Sequence, residues 1–412
     1  MLSSLVPCSH PVMRSKATTT NSFSFLLYKL IPLLQFDPEL DISLKGMDSG
    51  KLGSFLILPL LLSCLARSSD CGMVPGVYVF GDSLVDVGNN NYLKFSFAKA
   101  DFPHNGVDFP THKPTGRFSN GKNAADFLAE KLGLPTSPPY LSLFSRSNCS
   151  KMFPSPLTGV SFASGGAGIF DGNDEKYRQS IPLSKQVKYF INVYEDLVKR
   201  MGQSGARNHL SKSLFTFVIG SNDLFDYFGS SEARKKNTPQ QYVDLMVSSL
   251  KDQLKVLHDY SALKFVAMGV GPIGCCPSQR SKNNKGECHG EMNYWSHKYS
   301  QELVSMLQAL RSELKDVNYS FIDSYTVIDE FIHIPTNYGF KEVKAACCGL
   351  GDLNAKVACL PISQYCPNRT DHLFWDLYHP TEEAARIFID KVFHGSPQKY
   401  ASPLNVQDLA AL

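Results

Sequence analysis

Short apolar runs closed by glycine, alternating with long amphipathic stretches, constrain this chain more than any other feature. Val77-Tyr-Val-Phe80 lies between Gly76 and Gly81, Leu214–Ile219 ends at Gly220, Leu263–Val270 ends in a Gly-Pro turn, and Tyr319–Ile322 ends at Asp323. Runs of 4–8 residues bounded by turn residues are the signature of strands buried on both faces of a parallel sheet. Between them, helical patterns cover 122–132, 184–201, 239–258 and 291–315, the last with Leu303, Leu307, Leu310 and Leu314 at spacings of three and four. A final helix is expected from Pro380 to about Phe393. This alternation predicts an α/β fold with helices on both faces of a central parallel sheet. No repeat and no Pro/Ser-rich linker follows residue 71, so a single domain is expected over 71–400.

Functional residues of such sheets gather at the carboxyl ends of the strands. The first run leads into Gly81-Asp82-Ser83-Leu84, the second into Gly220-Ser221-Asn222-Asp223, and Asp376-Leu-Tyr-His379-Pro380 stands near the C-terminus. Pro380 suits the first position of a helix, with Glu382 and Glu383 in its first turn. It also pushes His379 out of the α region. A three-residue separation lets Asp376 hold the His379 imidazole through one tight turn while the other ring nitrogen faces a nucleophile. A serine alcohol needs a base to take its proton and donors to hold the developing oxyanion. Ser83, His379, Asp376, the Asn222 side chain and the glycine-rich turn Phe162-Ala-Ser-Gly165-Gly166-Ala-Gly168 supply these parts. Asp82 and Asp86 read as turn-forming residues. His104, His112, His289, His297 and His333 have no partner pattern and read as surface or core histidines.

These residues carry a resemblance. Phe80–Asn90, Phe162–Ile169, Ile219–Leu224 and Trp375–Pro380, in this order, resemble the blocks of plant GDSL esterases/lipases in the SGNH hydrolase superfamily. Lys113–Gly121 and Gly269–Cys275 also resemble stretches of the plant members, and the match runs from about residue 75 to 395. The resemblance implies a flavodoxin-like three-layer α/β/α sandwich. It implies Ser83 as nucleophile, His379 as base and Asp376 as the acid orienting it. The oxyanion hole would use Asn222, the backbone of Ser83 and a glycine, with Gly166 favoured over Gly165 although spacing alone does not separate them. No cofactor and no metal is implied. The expected activity is hydrolysis of small-molecule, lipid or polymer esters through an acyl-serine intermediate. An acyltransferase using the same triad is the alternative, and a binding protein without activity is set against the intact triad.

The N-terminal region reads differently. Phe55–Ala66 is apolar but too short to span a bilayer, contains Pro59, and is preceded by Lys51 and followed by Arg67. This is the pattern of a signal peptide over 47–68, with 1–46 an upstream extension or, alternatively, part of a bipartite targeting peptide. A secreted, extracellular protein of the cell wall or apoplast is expected, monomeric and without a transmembrane anchor. Asn148, Asn318 and Asn368 open glycosylation sequons. Lys plus Arg is 41 against 38 for Asp plus Glu, a net charge of +3, which argues against nucleic acid as partner. Eleven cysteines suit an oxidising compartment. Without Cys8 and Cys64 of the leader their number is odd, so at least one is free or bridges two chains. Cys288 with His289, and Cys347, Cys348, Cys359 and Cys366, match no common zinc spacing and read as disulfide partners of open pairing. Disulfides in the second group are expected to tie down the loop that presents Asp376 and His379.

Overall fold

The four apolar runs form adjacent parallel strands, β1 (Val77–Gly81), β2 (Leu214–Val218), β3 (Lys264–Met268) and β4 (Asn318–Ile322). The register pairs Gly81 with Val218, Val218 with Met268 and Met268 with Ile322, so all four strands end at one edge of the sheet. The computed structural model describes residues 72–144, 156–171, 179–396 and 398–412. The expected leader segments 1–46 and 47–68, Asn148, Cys71 and Cys149 lie outside the described residues. Two small ladders follow β4: β5 (Glu342–Ala346) pairs with β8 (His372–Phe374), and β6 (Cys348–Gly349) with β7 (Gln364–Tyr365). A short antiparallel strand, β9 (Ala401–Pro403), closes the β4 edge of the main sheet. On the opposite edge, the Val79 N–H donates to the Val160 carbonyl and the Phe162 N–H to the Val79 carbonyl. The glycine-rich segment thus runs along β1 as an irregular outermost strand.

Ten helices complete the described chain: α1 (Ala124–Lys131), α2 (Leu183–Lys212), α3 (Ser221–Gly229), α4 (Ser231–Lys236), α5 (Pro239–Asp259), α6 (Pro277–Arg280), α7 (Gly290–Glu313), α8 (Ser324–His333), α9 (Glu382–Phe393) and α10 (Val406–Ala411). Strand side chains alternate between two cores. Tyr78, Phe80, Phe215, Phe217 and Phe265 pack with α2, α5 and α7 on one face. Val77, Val79, Leu214, Val218 and Val266 pack with α1, α8, α9 and α10 on the other. The result is the α/β/α layering expected from the sequence. None of the described helices is long and apolar enough to cross a membrane.

Three local details differ from expectation. α2 continues past 201 because two helical stretches join at Gly202, whose φ of 76° breaks the helix geometry. Pro380 is not the first helical residue. It pairs with Phe374 across a bridge, and Thr381 caps α9 by accepting the Ala384 N–H, so the helix starts at Glu382. Asn318 opens β4 half-buried, whereas Asn368 is exposed.

Candidate active site

Ser83 sits in a turn directly after β1. The Val85 N–H donates to the Asp82 carbonyl and the Leu84 N–H to Asp82 Oδ1, while the Asp82 N–H still reaches the Val218 carbonyl. The serine hydroxyl therefore leaves the sheet at its carboxyl edge. A second turn meets it there. Asp376 Oδ1 accepts the N–H groups of Tyr378 at 3.0 Å and His379 at 2.9 Å. That turn sets His379 Nδ1 at 2.7 Å from Asp376 Oδ1 and 2.9 Å from Oδ2, and His379 Nε2 at 2.7 Å from Ser83 Oγ. An ionised carboxylate only accepts, so Nδ1 carries the ring proton and Nε2 accepts from the Ser83 hydroxyl. Burial alone would push the Asp376 carboxyl up. The charge and ring N–H of His379, with the two backbone donors, outweigh it and hold the carboxyl below its ordinary value.

The glycine-rich turn is held on its far side. Asn89 Nδ2 donates to the carbonyls of Ser161 and Ala163, Asn90 Nδ2 to that of Gly165, and the Gly165 N–H donates to Asp86 Oδ2 at 2.9 Å. The Gly166 N–H makes no bond to another described residue, and the same is true of the Ser83 N–H. The two glycines are needed for different reasons. A Cβ on Gly165 would meet Phe118 at 2.5 Å, and the Phe118 ring lies 5.0 Å from that of His379. Gly166 has φ +80°, in the left-handed region. Asn222, in the first turn of α3, donates to the Ala167 carbonyl at 3.0 Å and lies 3.4 Å from Asp82 Oδ2. The second contact is long and weak, which leaves that N–H open to a better acceptor.

Three buried carboxylates surround these parts, and burial raises each: Asp82 to about 7, Asp223 to about 7 and Asp86 to about 6. Asp223 accepts the N–H groups of Ile169 and Phe170, so it ties the end of the glycine-rich turn to α3. Disulfides 347–366 and 348–359 lie beside the histidine turn, and a third joins Cys275 to Cys288. The Cys347 N–H donates to the Phe374 carbonyl and that of Cys348 to the Trp375 carbonyl, immediately before Asp376. Cys276 is the one free thiol among the described cysteines; it is buried, and burial pushes it up to about 12. Ser83, Gly166, Asn222, Asp376 and His379 all line one cavity of about 610 Å³. No cluster among the described residues could hold a metal ion.

Residues 77–392 match the family model described as GDSL-like Lipase/Acylhydrolase. The chain is also similar to GDSL esterases/lipases of Arabidopsis thaliana. One is 52% identical over 349 residues, covering 84% of this chain and 92% of the relative. A second is 39% identical over 362 residues (85% and 95%), and a third 36% identical over 318 residues (77% and 87%). The chain belongs to the GDSL esterase/lipase family. As a GDSL enzyme it is a carboxylic-ester hydrolase of the serine-hydrolase type.

Sequence reasoning on this GDSL chain left out the residues that position the site. Asn89, Asn90 and Asp223 received no role, and Asp86 was assigned only to its own turn. The available signal was the polarity of these residues inside otherwise buried blocks. Buried polar side chains must find partners, and here the partners are the backbone of the glycine-rich turn.

Proposed function

We propose that Ser83 is the nucleophile, His379 the general base and Asp376 the residue that orients it, with the oxyanion received by the N–H groups of Ser83 and Gly166 and by Asn222 Nδ2. The reading rests on the unbroken series of short contacts Asp376–His379–Ser83. Ser83 Oγ bonds to the ester carbonyl carbon as its proton passes to His379 Nε2. The bond to the leaving alcohol breaks, and the alcohol departs with that proton. Water, deprotonated by the same nitrogen, then attacks the acyl-serine, and the acid leaves as Ser83 regains its proton. Favouring Gly166 over Gly165 follows from the bond of the Gly165 N–H to Asp86.

A fluorophosphonate probe tests the assignment. It is expected to label the wild-type protein at Ser83 and to leave Ser83→Ala unlabelled; labelling of both would remove Ser83 from its role. The substrates are uncharged esters, in keeping with the apolar cavity. The same proposal has a single hydrolase domain over 71–400, secreted as a monomer after loss of 47–68 and glycosylated at exposed sequons such as Asn368. Sequencing the N-terminus of the secreted protein and measuring its mass in solution check these points.

A further inference from the structure

The cavity at Ser83 has two unlike ends. At its rim stands Phe97, which is 83% exposed. Its other end is walled by Val218 of β2, Met268 of β3, Ile328 of α8, and Ala384, Ala385 and Phe388 of α9. Val218, Met268, Ala384, Ala385 and Phe388 are all at most 8% exposed and belong to the second hydrophobic core. The cavity therefore penetrates the core under the sheet, and this inner arm is walled only by apolar side chains. The ionisable groups lining the cavity, Asp82, Lys99, Asp376 and His379, are not among its walls.

Helix α9 shows how the arm is made. It begins just after His379 and buries Ala384, Ala385, Phe388, Ile389, Val392 and Phe393. The two alanines and Phe388 line the cavity, while Ile389, Val392 and Phe393 are packed in the core beyond it. Small residues thus stand where the helix passes the reacting atoms, and a large one stands where the space ends. An apolar void in a close-packed core lowers stability, so an arm kept open next to a nucleophile points to an apolar occupant.

We propose that this arm receives a linear acyl chain, and that α9 sets its length, with Ala384 and Ala385 keeping the arm open and Phe388 ending it. The inference rests on the reading of Ser83 as nucleophile and adds to it the class of acid released, a medium or long unbranched one. A blind arm suits the part of the substrate that stays bonded to Ser83. The alcohol must leave, and water must enter, before the second step, and the exposed rim provides that path.

The test uses p-nitrophenyl esters from acetyl to hexadecanoyl, alkyl acetates of matching length, and the variants Ala385→Leu and Phe388→Ala. With wild type, kcat/KM is expected to rise about four-fold per added acyl methylene, the factor equivalent to ~0.8 kcal/mol per buried CH2, until the chain reaches Phe388. Lengthening the alcohol should have little effect. Ala385→Leu should lower the long-chain-to-acetyl ratio more than ten-fold, and Phe388→Ala should move the optimum to longer chains. In parallel, calorimetric titration of Ser83→Ala with saturated fatty acids of four to twelve carbons reads the arm without turnover, with tighter binding expected for longer acids and a loss of that gain on adding Ala385→Leu. A flat acyl profile together with chain-independent fatty-acid binding would overturn the arm, as would optima that neither variant moves. Chain-dependent binding without any labelling or hydrolysis at Ser83 would retain the arm and reject Ser83 as nucleophile.

Discussion

Asp86 Oδ2 accepts the Gly165 N–H at 2.9 Å, and that bond turns one of two neighbouring glycines into an anchor and leaves the other free. Asp86 also accepts the N–H groups of Gly88 and Asn89 through Oδ1. One buried carboxylate thereby joins the loop after Ser83 to the turn that faces it. The Gly166 N–H is fixed in place by its neighbour's bond and makes none of its own within the protein.

Replacing Asp86 with Asn keeps the volume but sets an amide donor against one of these backbone donors. The variant is expected to lose kcat with KM little changed, because the hole is displaced and the cavity walls are not. Asn222→Ala removes a donor outright and should lower kcat by ~10²–10³, the usual cost of losing one oxyanion contact. Steady-state kinetics on a p-nitrophenyl ester separates the two parameters. A KM effect alone would exclude both residues from the oxyanion site.

Asp376→Asn leaves the turn nearly isosteric but permits the amide to donate to Nδ1, which favours the ring tautomer with its proton on Nε2. The rate is then expected to drop by ~10⁴, as for loss of the orienting acid in other serine hydrolases. His379→Ala should fall at least as far. A near-normal rate in His379→Ala would overturn the assignment of the base.

Much of this was legible in the chain. β1 to β4 were visible because each is an apolar run stopped by glycine or aspartate, and Ser83, Asn222 and His379 stand just past such stops. β9 was not visible: it is three residues long, ends in Pro403, and owes its pairing to β4 rather than to its own pattern. The choice between Gly165 and Gly166 was likewise beyond local reading. It depends on a carboxylate 79 residues earlier in the chain. The disulfide pairing was open for the same reason, since Cys347 and Cys348 are adjacent and only the fold directs one to Cys366 and the other to Cys359.

The histidine turn hangs on the segment that these disulfides close. Removing the 347–366 bridge by replacing both cysteines with alanine frees the chain that hydrogen-bonds Phe374 and Trp375. A bridge of this span contributes about 3 kcal/mol, so the unfolding midpoint in denaturant should fall clearly. The turnover rate should fall with it, because Asp376 and His379 lose their backing. An unchanged midpoint and an unchanged rate would show that the bridge does not support the turn.

Asp82 gives the protein a measurable dependence on pH. Its carboxyl rises from 3.8 to about 7 through burial. Between these values the folded state holds a proton that the unfolded state has released, so this group makes stability fall as pH increases from about 4 to about 7. Asp376 and Glu330 are shifted the other way, and their contribution is lost only as pH falls below the ordinary carboxylate range. The two effects therefore occupy different windows. Asp82→Asn keeps an acceptor for the Leu84 N–H and removes the titration. Melting temperatures of wild type and variant, measured at intervals from pH 4 to 8, should converge at the acid end and separate toward neutrality, with the variant declining less. Parallel curves over that range would mean that Asp82 ionises in the folded protein near its ordinary value.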